Sequence, residues 1–361
     1  MKNVLLVTLE YPPRKGGVAE YLRGLHDHLP DGMMSVMIHD LPARPFLPFA
    51  WLPLLLRVLA EARRSRPDAL IVSHVLPVGT IAWIVKLLRG IPYVVIVHGM
   101  DLKTAALNVR KKMMARLVLK NARHVVANSA YTMGLLKEYG LEDGRASIVY
   151  PCPSVPSLDE SFNSGEGGAR KEYGLGGAKV ILSVGRLVKR KGYDRIIRAL
   201  RILRDEGLDA RYLLVGDGPE KEDLRQVAKT YGVADFTIFA GAVPDHRLPA
   251  HYRAADVFVT PVRELPGDIE GFGIVFLEAA AYGLPVVATR SGGVAEAVVD
   301  GKTGLLLEHD ATDQELARTV KKLFERPDWA RTLGEAGMDR VATEFGWKRQ
   351  AAKFAEVIAS L

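Results

Sequence analysis

The sequence predicts an α/β protein built of two doubly wound parallel sheets. Short, β-branched apolar runs alternate with helix-period segments along both halves of the chain, which is the pattern of βαβ units. The 361 residues, 48% of them hydrophobic, suffice for about two domains of ordinary size. Between the two series lies a break: the proline-rich Tyr150-Pro-Cys-Pro-Ser-Val-Pro156, then a stretch rich in Ser, Gly and charge from Asp159 to Arg170. The boundary is placed there, with residues 1–152 as the first domain, 153–346 as the second and 347–361 as a last helix.

In the first half the expected strands are Val4 to Leu9, Met33 to Ile38, Ala69 to Val75, Tyr93 to Val97 and His124 to Ala127. In the second they are the run from Val180, then Tyr212 to Val215, Phe236 to Ala240, Val257 to Val262 and Val286 to Ala288. Ligands on such sheets gather at the carboxyl ends of the strands, so polar residues there are the candidates for chemistry.

Composition narrows the classes without choosing one. A formal net charge of +7 suits nucleic acid, an anionic membrane surface or an anionic small molecule. No nucleic-acid-binding module and no basic stripe interleaved with aromatics is present, so nucleic acid is not expected. The single cysteine, Cys152, excludes an internal disulfide and fits a reducing compartment, the cytoplasm by default. The amino terminus reads as a strand rather than a signal peptide. No run reaches the roughly 20 apolar residues that span a bilayer. The nearest, Leu47 to Ala60, is broken by Pro48, Pro53 and Arg57. The segment Pro45 to Arg66 mixes apolar residues with arginines, and reads as a core helix with a basic outer face, as a surface lying on an anionic bilayer or as the lining of a lipid groove.

Four places at strand ends carry candidate residues. After the first strand, Gly16 and Gly17 open a helix where backbone amides can approach a phosphate without Cβ interference. The spacing lacks the Gly-x-Gly-x-x-Gly and later acid of a nicotinamide site. His98 follows the strand ending at Val97; a packing or capping role competes with a functional one. Asn128-Ser129 is similarly placed and reads as a helix cap. In the second half, Arg186 and Lys191 stand on the loop after the first strand, where they read either as a solvated basic loop or as fixed cations that meet an anionic ligand. Gly216-Asp-Gly-Pro-Glu220 is read as a structural turn.

The richest stretch is Asp256 to Glu308. A buried strand empties into a loop holding Arg263, Glu264, Asp268 and Glu270, and a helix begins at Gly273 with its positive dipole end beside that loop. Glu270 lies just before the helix and Glu278 on it. The spacing Glu270-x7-Glu278, followed in order by Gly283-Leu-Pro-Val-Val-Ala-Thr-Arg-Ser-Gly-Gly293 and Asp300-Gly-Lys-Thr-Gly-Leu-Leu-Leu307, resembles the Glu-x7-Glu signature of retaining nucleotide-sugar glycosyltransferases, specifically glycosyltransferase family four.

The resemblance implies the GT-B fold: two Rossmann-like domains facing across a cleft, the first for the acceptor and the second for the nucleotide-sugar donor, with helix 347–361 packing back on the first. It also implies roles. Glu270 and the backbone of Gly271, Phe272, Gly273 and Ile274 would hold the donor sugar; Glu278 would accept hydrogen bonds from the ribose. Arg186 and Lys191 match the family's phosphate-binding cations, Gly16 and Gly17 its Gly-Gly loop, and His98 a histidine near the reacting side of the sugar. The backbone around Val243 would read the base. Retention would follow from same-face attack, with the leaving phosphate taking the acceptor's proton.

The motif looks most like bacterial mannosyl- and glucosyl-transferases, which favours GDP-mannose over a UDP-hexose and a lipid or glycan acceptor. No Asp-x-Asp occurs, nor a His/Cys cluster with metal-ligand spacing, so the expectation is that no metal or other cofactor is used. A location on the inner face of the plasma membrane is compatible with this reading. The rivals are an epimerase or glycosyl phosphorylase of the same fold, and a non-enzymatic nucleotide-sugar-binding subunit.

Overall fold

Val, Ile and Leu runs of four to six residues cannot bury both faces except between helices, and that requirement organises the chain. The computed structural model describes residues 2–14, 16–38, 51–141, 144–153 and 168–361. From the amino terminus the elements are β1 (Val4–Thr8), α1 (Gly17–His28), β2 (Met34–Ile38), α2 (Leu52–Ser65), β3 (Ala69–Val72), α3 (Val78–Arg89) and β4 (Tyr93–Val97). Next come α4 (Met100–Ala106), α5 (Val109–Asn121), β5 (His124–Ala127), α6 (Ala130–Leu136) and β6 (Ala146–Ile148). The second series is α7 (Gly168–Glu172), β7 (Lys179–Val184), α8 (Tyr193–Asp205), β8 (Ala210–Val215), α9 (Lys221–Thr230), β9 (Thr237–Gly241) and α10 (Leu248–Ala254). It continues with β10 (Val257–Thr260), α11 (Ile274–Ala281), β11 (Val286–Thr289), α12 (Val294–Ala297) and β12 (Gly304–Leu307). Helices α13 (Asp313–Glu325), α14 (Pro327–Glu344) and α15 (Trp347–Ala359) close the chain.

Two six-stranded parallel sheets result, with orders β2-β1-β3-β4-β5-β6 and β12-β11-β10-β7-β8-β9. Each has one strand more than the sequence pattern predicts. Both additions, β6 and β12, are short edge strands. In the first sheet the winding reverses between β1 and β3, in the second between β7 and β10. A crevice opens outside the carboxyl ends of the strands at such a reversal.

The chain divides into two compact units. One holds Met1–Cys152, Pro266–Phe272 and Phe345–Leu361; the other holds Pro153–Leu265 and Gly273–Glu344. In the first, β1, β3, β4 and β5 pack with α2, α3 and α5 around a core of Leu5, Val72, Val85, Tyr93, Val95 and Val118. Helix α15 lies against α1. In the second, α8 and α13 cover one face over Ile181, Ile197, Leu214, Val259, Leu316 and Leu323, and α14 packs on α11.

The segment Pro266–Phe272, which the sequence series would leave with the second half, is built into the first unit. Ile269 enters its core, Thr104 Oγ1 donates to the Gly267 carbonyl at 2.9 Å, and Phe272 sits between Tyr150 and Phe345. Most of the expected linker, residues 154–167, and the Pro45 to Ala50 part of the arginine-rich segment lie outside the described residues. What is described of that segment is α2, whose Leu54, Leu55, Val58 and Ala62 are core and whose Arg64 pairs with Glu61 at 2.8 Å. None of the helices described is long and apolar enough to cross a membrane.

Candidate active site

In the first unit the strand ends put a histidine pair and a carboxylate at the reversal of the sheet. Glu10 follows β1, His74 follows β3 and His98 follows β4. His74 Nε2 lies 3.5 Å from Glu10 Oε1, and its Nδ1 is 3.0 Å from Ser73 Oγ. The His74 imidazole holds the Glu10 carboxyl below the usual carboxylate range, against the opposing effect of burial. The His98 ring lies 5.4 Å from the His74 ring and edge-on to Tyr21 at 5.7 Å. Burial, and then the neighbouring His74, push the His98 imidazole down to about 4, so the ring is neutral at pH 7.

His98 is buried, and among the described residues its Nε2 has no hydrogen-bond partner. Its backbone N–H donates to Asp101 Oδ1 at 3.1 Å, while Asp101 Oδ2 accepts from the Val75 N–H at 3.3 Å. Asp101 therefore ties the ends of β3 and β4 together.

Glu270 and Gly271 reach this unit through the Pro266–Phe272 segment. Ser129 Oγ donates to the Gly271 carbonyl at 2.8 Å and accepts from the Thr132 N–H at 3.0 Å. The helix cap expected at Ser129 is thus present, and the same hydroxyl also holds the loop. A Cβ on Gly271 would fall 2.0 Å from the His98 carbonyl oxygen and 3.2 Å from Asn128 Nδ2. Only glycine lets the two backbones approach this closely. Glu270 is half-buried, and the Phe272 side chain is packing, so any ligand contact at Phe272 falls to its backbone. Gly16 caps α1 and Gly17 opens it; Glu10 Oε2 is the nearest group to a Gly16 Cβ, at 3.7 Å, and nothing lies within 4 Å of a Gly17 Cβ.

In the second unit the loop after β7 stands at the reversal beside β10. Arg186 is exposed, and Lys191 is buried with its Cε 3.9 Å from the place of a Gly185 Cβ. Gly192 turns the chain with φ 69°, where a Cβ would meet the Pro261 carbonyl oxygen at 2.2 Å. The Gly216-Asp-Gly218 turn packs against the Gly185 and Leu187 backbone, which accounts for it structurally. Arg263, read from sequence as part of the polar mouth, instead donates from Nη2 to Asp194 Oδ2 at 2.6 Å, which Arg198 Nη1 also approaches at 2.9 Å. Burial raises the Asp194 carboxyl and the two arginines outweigh it, leaving it below the usual range. Arg263 is a strut between the β10 loop and α8.

Helix α11 starts after Gly273, which adopts φ 88° and supplies no side-chain cap, so the first-turn amides opening at Ile274 lie outside the helix's own hydrogen-bond ladder. One turn on, Glu278 is half-buried and accepts a 2.7 Å hydrogen bond on Oε2 from the hydroxyl of Tyr252, on α10. Tyr252 is buried and stacks on Tyr282 with ring centres 5.1 Å apart. Val243 follows β9 and is half-buried. Among the described residues no group of three His, Cys, Asp or Glu is placed to hold a metal.

Glu10, His74 and Tyr252 are not among the residues that the sequence singles out. The first two were within reach of the rule that marks His98, since both follow strands at their carboxyl ends. Tyr252 had no such signal, because its partner is 26 residues away on another helix.

The family described as glycosyl transferases group 1 matches residues 169–340, and the glycosyl transferase 4-like domain matches residues 3–152. A GDP-mannose-dependent α-(1-6)-phosphatidylinositol monomannoside mannosyltransferase of Mycolicibacterium smegmatis is 32% identical over 99% of this chain and 98% of its own. A D-inositol 3-phosphate glycosyltransferase of Streptosporangium roseum is 34% identical over 84% of this chain and 72% of its own. Among solved structures, the sucrose-phosphate synthase of Thermosynechococcus elongatus superposes with a TM-score of 0.84 at 22% identity, covering 100% of this chain and 99% of that one. Anabaena HepE in complex with UDP and glucose gives 0.82 at 21% identity, covering 100% of both chains.

Proposed function

Since this chain belongs to the group 1 glycosyl transferases, and is a glycosyltransferase of GT-B fold acting on nucleotide sugars, we propose that it transfers mannose from GDP-mannose to a lipid or glycan acceptor, with retention and without a metal. The donor preference rests on one observation: the relative matched along 99% of the chain is a GDP-mannose-dependent enzyme. That relative acts on a phosphatidylinositol monomannoside, which supports a lipid-linked acceptor here.

The proposed roles follow from position and charge. Arg186 and Lys191, at the reversal of the second sheet, meet the donor diphosphate as the sugar leaves. Lys191 is held in place by burial, so its charge is preorganised; Arg186 is exposed and can follow the ligand. The first-turn amides of α11 add fixed dipoles for the phosphate or sugar oxygens. Glu278, with one oxygen engaged by Tyr252, binds the ribose, and Glu270 with the Gly271 to Gly273 backbone orients the hexose.

His98, neutral and with Nε2 open to a partner, accepts or donates one hydrogen bond near the reacting carbon without adding charge. Attack and departure occur on the same face of the sugar, and the leaving phosphate oxygen takes the acceptor's proton.

The test is a panel of GDP- and UDP-sugars with cell lipid extract, read as released nucleoside diphosphate and as the anomeric configuration of the product. GDP release with an α-mannosyl product is expected; a UDP-sugar as the sole donor, or a β-product, overturns the proposal.

A further inference from the structure

Helix α5 is apolar on two opposite faces, and the fold uses only one of them. Ala115, Val118 and Leu119 are buried, and Val118 packs on α3, where a Cβ at Gly79 would meet it at 2.8 Å. On the far side Val109, Met113 and Leu117 recur every four residues and so form one stripe. Val109 is 76% exposed and Met113 67%. The carboxyl end of α3, joined to the end of α5 by a 2.8 Å hydrogen bond from Lys86 Nζ to the Asn121 carbonyl, also carries exposed leucines, Leu87 at 65% and Leu88 at 61%. A helix at a water-exposed surface is ordinarily polar on the side away from the core; here Val109, Met113 and Leu117 stand there among cations.

The charge that the helix itself carries is all of one sign. Arg110, Lys111, Lys112, Arg116 and Lys120 lie on α5, which has no acid. Asp101 is the only acid between Asp68 and Glu138, against ten lysines and arginines. Among the described residues none of the five α5 cations is in an ion pair.

We propose that this face, formed by α5 and the end of α3, docks the protein on an anionic lipid bilayer. An apolar stripe within a ring of cations fits a surface with an acyl boundary beneath negative headgroups, which takes both at once. A second copy of the chain would bring the same positive charge against itself. A nucleic acid would use the cations and leave the stripe in water. The site differs from α2, which exposes Leu52 and Leu56 but buries Leu54, Leu55, Val58 and Ala62 and carries an acid, Glu61, that engages Arg64.

The inference is read by binding, so it stands or falls separately from the proposed donor and acceptor. The full chain is sedimented with vesicles of phosphatidylcholine alone and with about one-third phosphatidylglycerol added. Wild type is expected to bind only the anionic vesicles. Changing Arg110, Lys111 and Lys120 together to Ser should weaken that binding about 100-fold, at about fivefold per cation. Changing Val109 and Met113 to Ser should weaken it about tenfold and make the remainder more sensitive to salt. Changing Arg63 and Arg64 on α2 to Ser should leave it unaltered. Far-UV circular dichroism and the urea midpoint check that these surface variants fold. Binding of wild type to neutral vesicles with equal strength overturns the proposal. So does tight binding to duplex DNA at physiological salt that ignores the Val109 and Met113 changes, which would make the face a polyanion site, and so does vesicle binding lost on changing α2 instead.

Discussion

At the scale of the residue, the contact between Tyr252 and Glu278 shows how a binding carboxylate is aimed. The phenol is buried, and burial raises its pKa well above the ordinary value, so it stays a donor at any working pH. Stacking on Tyr282 removes its freedom to leave. Tyr252→Phe keeps the packing and deletes the bond, so donor KM should rise about three- to tenfold with kcat nearly unchanged. Steady-state kinetics against donor concentration checks this; a fall in kcat alone would place Glu278 in the chemical step instead. His98 makes a second residue-scale prediction, through pH. Its ordinary pKa near 6.5 applies to the unfolded chain and about 4 to the folded one. Between those values the unfolded state binds the extra proton, so stability should fall as pH drops from 6.5 to 4, by up to about 3 kcal/mol. His98→Asn should flatten that limb in urea titrations at successive pH values. The loss from Glu10, whose folded pKa is also lowered, belongs to the carboxylate range and should remain.

At the scale of the element, the last helix is secured by one large side chain. Trp347 lies in a gap left by Gly24 of α1, where a Cβ would fall 2.2 Å from its ring, and it stacks on His28 with ring centres 6.1 Å apart. Gln350 Oε1 accepts from the Tyr150 N–H at 3.0 Å and adds a polar tie. Trp347→Ala should destabilise the first unit by about 3–5 kcal/mol, and Gly24→Ala by about 1–3 kcal/mol because the ring has nowhere to move. Urea unfolding followed by far-UV circular dichroism measures both. If α15 were only a loosely attached tail, neither change would move the midpoint.

At the scale of the whole molecule, the proposal makes the protein's own cations responsible for the diphosphate charge. Activity should then survive a chelator, and Arg186→Ala should lower kcat by about 100-fold or more. Lys at that position should restore it only in part, since a point charge does not reproduce the two-pronged guanidinium. The comparison is turnover of wild type and Arg186→Ala, each with chelator and with added magnesium or manganese. Loss of wild-type activity in chelator, restored by the divalent ion, would hand the charge to a bound metal and end this account of the site.

The sequence by itself determined the class of the two sheets, most strand positions and the presence of candidate residues on the loops that follow them. These are local properties: a β-branched run between turn residues, or a glycine before a helix, declares itself within about ten residues. Glu270, Glu278, Arg186 and Lys191 could be singled out because their spacing along the chain is itself the signal. Only the tertiary structure decided which of the strand-end residues meet. Glu10 faces His74 because β1 and β3 are neighbours in the sheet, with β2 on the other side, and strand order is a matter of crossover connections rather than of composition. The loop at Gly271 rests on His98 and Ser129 because glycine permits backbone contact there, between partners more than 140 residues apart. The two-faced character of α5 was equally hidden. Apolar residues on both sides of a helix read as one buried segment until the structure shows that only one side has a partner.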